Sequence, residues 1–367
     1  MAPLTGIRVI DLSRLLPGPL CSWYLRGLGA TVIKVEQPGS GDYIRAFPPF
    51  REDGMGAWHA ALNAGKESVA LDLKQAVHRE ALAALLKEAD VLIESFRPGV
   101  MARLGLDPAR LRSEYPQLII CSITGFGQTG PMRDDPGHDL GYMAMSGALS
   151  LGVHHGGLPS VPGTQVADVA GGALTAGMRI CAALAGRNTT GEGDWLDVSM
   201  TEGAMAMTMT AVAAMATSGV APSPGSELLT GGSPQYRCYS CRDGRTLAVA
   251  ALEPKFWQRL CQAVGREIVP EAEALEQLFL CRDRDDWAAI LGDACCAPVL
   301  ALDELQSHPQ HKHRKSITGS GEDLRVSQPF PGGDSVAKLP APRLGEHTKS
   351  ALDAAGFDWT RLEKEDQ

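Results

Sequence analysis

Three side chains have the chemistry and setting to move a proton. His138 lies in Pro136-Gly137-His138-Asp139, after a glycine-rich loop and at the start of the apolar stretch LGYMAMSGAL. An imidazole suits acid–base work near neutral pH. Asp139, at the start of a helix, is favoured by the free N–H groups and the dipole there. Asp168 opens a second helical stretch, in which Ala170, Gly171 and Gly172 leave room for a ligand to approach. Glu253 ends a strand before Pro254, which holds the glutamate extended and begins the next helix. Each also has a plain structural reading: His138 and Asp168 as helix caps, Glu253 as a solvated carboxylate.

Cations form a second group. Lys74 stands in Leu71-Asp72-Leu73-Lys74, Arg97 in Glu94-Ser95-Phe96-Arg97-Pro98-Gly99, and Arg103 a little further on. All follow strands along one sheet edge, where they would hold a nucleotide's phosphates. The formal net charge of −9 makes such local cations necessary, since the global field repels an anion. That charge also argues against a nucleic acid or an anionic membrane as partner. The Cys238/Cys241 CxxC has no second pair to complete a zinc site, so no metal is expected. His154-His155 and the group His308, His311, His313 lack acidic companions and read as surface loops. Nine cysteines without framework spacing suggest a reducing cytosol, with Cys295-Cys296 as buried thiols.

The elements that must position these groups alternate. A strand at 7–12, a helix to about 28 ended by Gly29, and a strand at 31–36 make a βαβ unit. A helix at 76–88, a strand at 91–95, a helix at 107–114 and a strand at 118–124 continue it. The last strand runs into Gly125-Phe126-Gly127-Gln128-Thr129-Gly130-Pro131. This predicts an α/β fold with a parallel, doubly wound sheet and ligands at the strand C-termini. The first turn lacks GxGxxG, which disfavours a nicotinamide enzyme. A helix at 168–185, a strand at 195–198 and a Met/Ala helix at 199–217 follow, with core packing the commoner use of those methionines.

The Pro/Ser/Gly-rich segment 220–234 reads as a linker. It separates a large domain at 1–219, to which 330–367 returns, from a smaller α+β domain at 235–329. That domain is read as strands at 237–239 and 246–251 with helices near 254–264 and 283–293. Residues 329–345 form another connector before a last helix near 348–355. No run of 18 apolar residues occurs, and neither end carries a leader or peroxisomal address, so a cytoplasmic protein is expected.

Together the passages Leu4-Thr5-Gly6-Ile7-Arg8-Val9, Leu16-Pro17-Gly18-Pro19, Leu28-Gly29-Ala30, Arg97-Pro98-Gly99-Val100, 124–131, Gly137-His138-Asp139 with Tyr142, and Asp168 with Gly171-Gly172 resemble the family III coenzyme A transferases. Within that superfamily the chain looks most like the 2-methylacyl-CoA racemases. Transferases commonly carry tyrosine where this chain has His138, and Glu253-Pro254 is similar to the racemase Glu-Pro. The resemblance implies a Rossmann-like large domain, a small domain and two chains interlocked as a homodimer. It implies an acyl-CoA thioester as substrate, with CoA part of the substrate and no other cofactor. His138 and Asp168 would be the two bases of a 1,1-proton transfer, tuned by Glu253. The CoA portion would meet Gln37, Leu71, Asp72, Lys74, Ser95, Phe96, Arg97, Arg103, Gly137, Asp139 and Tyr142.

Some positions depart from the family pattern. Gln37 stands where arginine is frequent, Ala167 and Val169 flank Asp168 in place of Gly-Asp-Phe, and Gly141 replaces the usual Asn. The main rival is a CoA transferase with Asp168 as nucleophile. A non-catalytic acyl-CoA binding protein is the rival from another class.

Overall fold

The computed structural model describes residues 2–152, 154–155, 157–330 and 339–363. The chain divides into two compact units. One comprises Met1–Ser146, Gly163–Ala206 and Gln310–Gln367; the other comprises Gly147–Pro162 and Met207–Pro309.

The first unit is built on strands β1 (Arg8–Asp11), β2 (Thr31–Glu36), β3 (Glu67–Ala70), β4 (Val91–Glu94), β5 (Ile119–Thr124) and β8 (Trp195–Ser199). The intervening β6 (His154–His155) and β7 (Leu158–Pro159) are a short antiparallel pair of the second unit. All neighbours in the six-stranded sheet are parallel, in the order β3-β2-β1-β4-β5-β8. Every residue of β4 and β5 is buried, as a parallel sheet covered on both faces requires. Helix Ala76–Leu86 covers one face, turning Val77, Ala81, Leu82, Leu85 and Leu86 into a core shared with Leu92 and Ile120. The parallel sheet expected from the alternating elements is present. Strand β3, sequence ESVA, was not expected: it is short, and two of its four residues are polar.

Chain order reverses between β1 and β4, so the loops after these two strands flank the crevice where such sheets take ligands. A buried charge network fixes the first of those loops. Lys34 Nζ pairs with Asp42 Oδ2 at 3.0 Å and donates to the Ser13 carbonyl at 2.9 Å. Asp42 Oδ1 accepts from Leu15 N at 3.1 Å, and Lys66 Nζ lies 3.5 Å from Asp11 Oδ2. Burial disfavours the charge on Lys34, yet Asp11, Asp42 and Glu36 outweigh it and hold its pKa above the ordinary lysine value. Burial likewise works against Asp11, but Lys34 and Lys66 keep it below the usual carboxylate range. Removing one member strands buried charge. Lys34→Met should therefore cost about 3–5 kcal/mol of stability, read from the urea-unfolding midpoint. A loss under about 1 kcal/mol would place the network among surface pairs in strength.

Helical residues Ala167–Leu174 form a wide π turn that continues as the α-helix Thr175–Thr190. The sequence suggests ordinary α-helix here. Close packing accompanies the difference: a Cβ on Gly171 would meet the Met200 carbonyl at 2.4 Å, and one on Gly203 would meet the Gly171 carbonyl at 2.4 Å. The helix expected at 199–217 is two, Met200–Ala206 and Met209–Ser218, interrupted at the point where the units divide. By length and composition Ala167–Thr190 would suffice to cross a membrane; in this fold it packs against β5 and β8. Helix Thr348–Ala354 packs on β3 and Ala76–Leu86, and His347 N donates to the Ser68 carbonyl at 2.8 Å.

The second unit holds β9 (Tyr236–Ser240), β10 (Thr246–Ala250) and β11 (Cys296–Pro298), antiparallel in the order β11-β10-β9. Its core gathers Tyr239, Leu247, Val249, Leu260, Leu275, Phe279, Trp287 and Leu291. Three helices, Pro254–Val264, Ala272–Phe279 and Arg284–Leu291, supply much of it. Cys296 is buried but Cys295 is exposed at φ +55°, correcting the expectation of two buried thiols. Cys295 lies in a left-handed turn ahead of β11, and only Cys296, inside the strand, turns into the core. His311 and His313 lie on helix Pro309–Arg314, not in a loop. The side chains of His154 and His155, and residues 331–338 of the expected connector, lie outside the described residues.

Candidate active site

A cleft of about 210 Å³ opens in the first unit beyond β1, β2, β3 and β4. Leu12, Arg14, Gln37, Leu71, Asp72, Lys74 and Phe96 line it, so five residues singled out in the sequence meet in one place. The Gln37 amide beside Asp72 favours its charged form, Lys74 N donates to Asp72 Oδ1 at 3.2 Å, and Asp72 N donates to His78 Nδ1 at 3.2 Å. Ser95 Oγ accepts from Arg14 N at 3.1 Å. The Arg14 guanidinium lies over Tyr43 and Phe96, 5.2 and 5.6 Å from the ring centroids. Arg14 was not singled out in the sequence. Its signal was positional, since it follows β1 beside the point where strand order reverses.

Two further cations converge at Gly99, which caps helix Val100–Arg103 in the left-handed region at φ +80°. A Cβ here would meet Arg133 Nη2 at 3.4 Å and Arg103 Nη1 at 3.5 Å. Glycine thus serves both the backbone turn and the approach of two guanidinium groups. Arg103 also borders an open groove with Lys74, Arg79 and Arg110. Arg133 is another residue the sequence reading passed over, since nothing local separates it from a solvated arginine.

The proton-transfer candidates lie after β5. Gly127 N donates to Thr124 Oγ1 and Gln128 N to Asp197 Oδ2, both at 3.0 Å, which fixes the glycine-rich loop. His138 precedes helix Asp139–Met145 with an extended backbone, and its carbonyl accepts from Gly141 N and Tyr142 N. Its imidazole does not cap the helix, is exposed, and forms no hydrogen bond among the described residues. The capping explanation for His138 therefore fails.

Asp139 bridges the next gap: its Oδ1 accepts from Asp168 N at 2.9 Å. The start of the His138 helix and the start of the π turn are tied together by that bond. Asp168 sits within the π turn and does not cap it; the cap position is Val166. Burial, and secondarily the Asp139 charge, push the Asp168 carboxyl up to about 7. Tyr142 is buried against Gly125 and Gly137, where a Cβ would lie 2.3 and 2.4 Å from its ring. Its ring meets Phe126 edge-on at 5.3 Å. Burial and the Asp168 charge push the Tyr142 phenol up to about 12, against an opposing pull from Arg97. Tyr142 therefore feels both the carboxyl and the cation.

Glu253 belongs to the second unit. It precedes helix Pro254–Val264 with an extended backbone, exposed, its side chain free of any capping bond.

The chain matches the description CoA-transferase family III over residues 4–348. It is 35% identical to the alpha-methylacyl-CoA racemase of Homo sapiens, over 96% of this chain and 94% of that one. It is 31% identical to the succinyl-CoA:mesaconate CoA-transferase of Haloarcula hispanica over the full length of both. Among solved structures, a CAIB/BAIF family protein from Brucella suis superposes with a TM-score of 0.84 at 29% identity, covering 96% of this chain and 99% of the other.

Proposed function

This chain belongs to CoA-transferase family III, and from that premise we propose that it epimerises the α-carbon of 2-methylacyl-CoA thioesters. One observation carries the reading. The 2.9 Å bond from Asp168 N to the Asp139 carboxylate ties the start of the helix after His138, whose imidazole is exposed and unbonded among the described residues, to the turn that carries Asp168, a carboxyl raised to about 7. A thioester acidifies its α-hydrogen. One of the pair removes that proton, leaving an enolate, and the other returns a proton to the opposite face. His138 and Asp168 are those two groups. The cleft holding Arg14, Lys74 and Phe96, with Arg97, Arg103 and Arg133 nearby, takes the nucleotide end. The phosphates there meet guanidinium and ammonium groups despite the net negative charge. No cofactor beyond the CoA of the substrate is invoked.

The acting species is an interlocked homodimer. Met205, Met207, Met209, Val212 and Met215 are exposed on the single chain, although core packing was the commoner expectation for such methionines. Exposed apolar side chains of this kind suit a partner chain. Light scattering on the purified protein checks this: a monomer at micromolar concentration would remove the dimer.

The second reading is a CoA transferase, favoured by the full-length likeness to the Haloarcula enzyme. There Asp168 would attack the thioester and carry the acyl group as an anhydride before CoA returns to it. Incubation of one 2-methylacyl-CoA epimer in deuterated water, with no acceptor acid, separates the two. Deuterium at the α-carbon with loss of configuration is expected. Absence of exchange, with CoA passing to an added carboxylic acid, would establish the transferase instead.

A further inference from the structure

One buried acid has no part in the proton transfer. Glu94 ends β4 at the reversal of strand order and is 3% exposed. Its Oε2 accepts from Phe96 N at 2.7 Å, and the Ser122 hydroxyl beside it favours its charged form. Ser122 is its register partner on β5, and the Trp195 indole of β8 donates to Ser122 Oγ at 3.0 Å. The row therefore runs Trp195, Ser122, Glu94, Phe96 N and ends on a residue that lines the nucleotide cleft. Ser95, in the same turn, takes the Arg14 N–H, and Arg14 lies over the Phe96 ring. One acid thus underlies both the aromatic and the cationic wall of the cleft.

We infer that Glu94 is a positioning residue for the nucleotide end of the substrate, acting through its bond to Phe96 N. This rests on the acyl-CoA reading above. An ionised carboxylate grips an N–H more strongly than its protonated form does, so the turn is held tightest when Glu94 is charged. The charged groups around it are few. Asp197 on β8, register partner of Ser122, disfavours the charge; Arg179 donates to the Asp197 carbonyl; Cys121 on β5 is a buried thiol. Burial first, and Asp197 last, push Glu94 up to about 7 against the opposing pull of the Ser122 hydroxyl and the Phe96 N–H. The grip therefore changes across the neutral range. Gln at this position keeps an acceptor for Phe96 N and a donor for Ser122, copying the protonated acid at every pH.

The test measures CoA affinity from pH 6 to 8.5 in the wild type and Glu94→Gln by calorimetry. Phosphate ionisation and Asp168 titrate in both proteins and cancel in the ratio of affinities. That ratio should rise from near one at pH 6 to about fivefold above pH 8, the difference between a charged and a neutral acceptor. Ser122→Ala removes a donor that favours the charged form, so it should move the wild-type midpoint to higher pH. A flat ratio together with an unmoved Ser122→Ala midpoint overturns the role of Glu94 while leaving the enzyme's reaction untouched. Should wild-type protein fail to bind CoA at any pH, both this inference and the proposed function fall. If Glu94→Gln does not fold, the direction of the Ser122→Ala shift decides alone.

Discussion

In His138→Ala, inversion of either 2-methylacyl-CoA epimer should fall by about 10²–10⁴-fold, while calorimetric binding of CoA stays near the wild-type value. The imidazole forms no hydrogen bond or ion pair among the described residues, so its loss removes a proton carrier and leaves no orphaned polar partner. A two-base site makes a sharper demand. With His138 gone, Asp168 still removes the proton that faces it, so one epimer should exchange slowly with deuterated solvent without inverting. Asp168→Asn should leave residual exchange in the opposite epimer. Proton NMR of the α-position in deuterium oxide reads both rates. Equal residual exchange of the two epimers in each variant would mean that a different pair carries the chemistry. Transfer of CoA to an acid that survives His138→Ala but dies in Asp168→Asn would favour the nucleophile.

The sequence carried the scaffold better than the site. Strands β2, β4 and β5 were legible because a buried parallel strand needs an unbroken run of β-branched and apolar residues, which TVIKVE, VLIE and IICSIT nearly supply. Strand β3 was not, because ESVA at the sheet edge owes its conformation to pairing with β2 and to the helix at Thr348–Ala354. The π turn at Ala167–Leu174 was also hidden. Its wide geometry accompanies close packing of Gly171 on Met200 and Gly203, a tertiary fact with no local period. His138 and Asp168 could be named as residue types, but not joined, since the joining bond belongs to Asp139. Arg14 and Arg133 look like any solvated arginine until strand order and Gly99 give them an address.

The second large effect concerns pH. The two bases must share one proton for turnover, so kcat/KM should follow a bell, with one limb set by the Asp168 carboxyl near 7. Because the equilibrium between epimers does not depend on pH, the bell must be the same whichever epimer is supplied. Asp139→Asn then gives a directional test. Asn Oδ1 still accepts the Asp168 N–H, so the tie between the two helix starts is kept, but the charge that helps raise Asp168 is gone. A carboxyl relieved of a neighbouring anion ionises more readily, so its pKa falls. The limb that Asp168 governs should therefore move to lower pH, never to higher, and activity at pH 8 should drop as the shared proton is lost. A nucleophilic Asp168 behaves in the opposite sense. Only its anion attacks, so the rate would climb to a plateau, and Asp139→Asn would raise activity on the acid side. The sign of the change at pH 6 and pH 8, measured in one variant, thus separates proton transfer from acyl transfer at the same carboxyl.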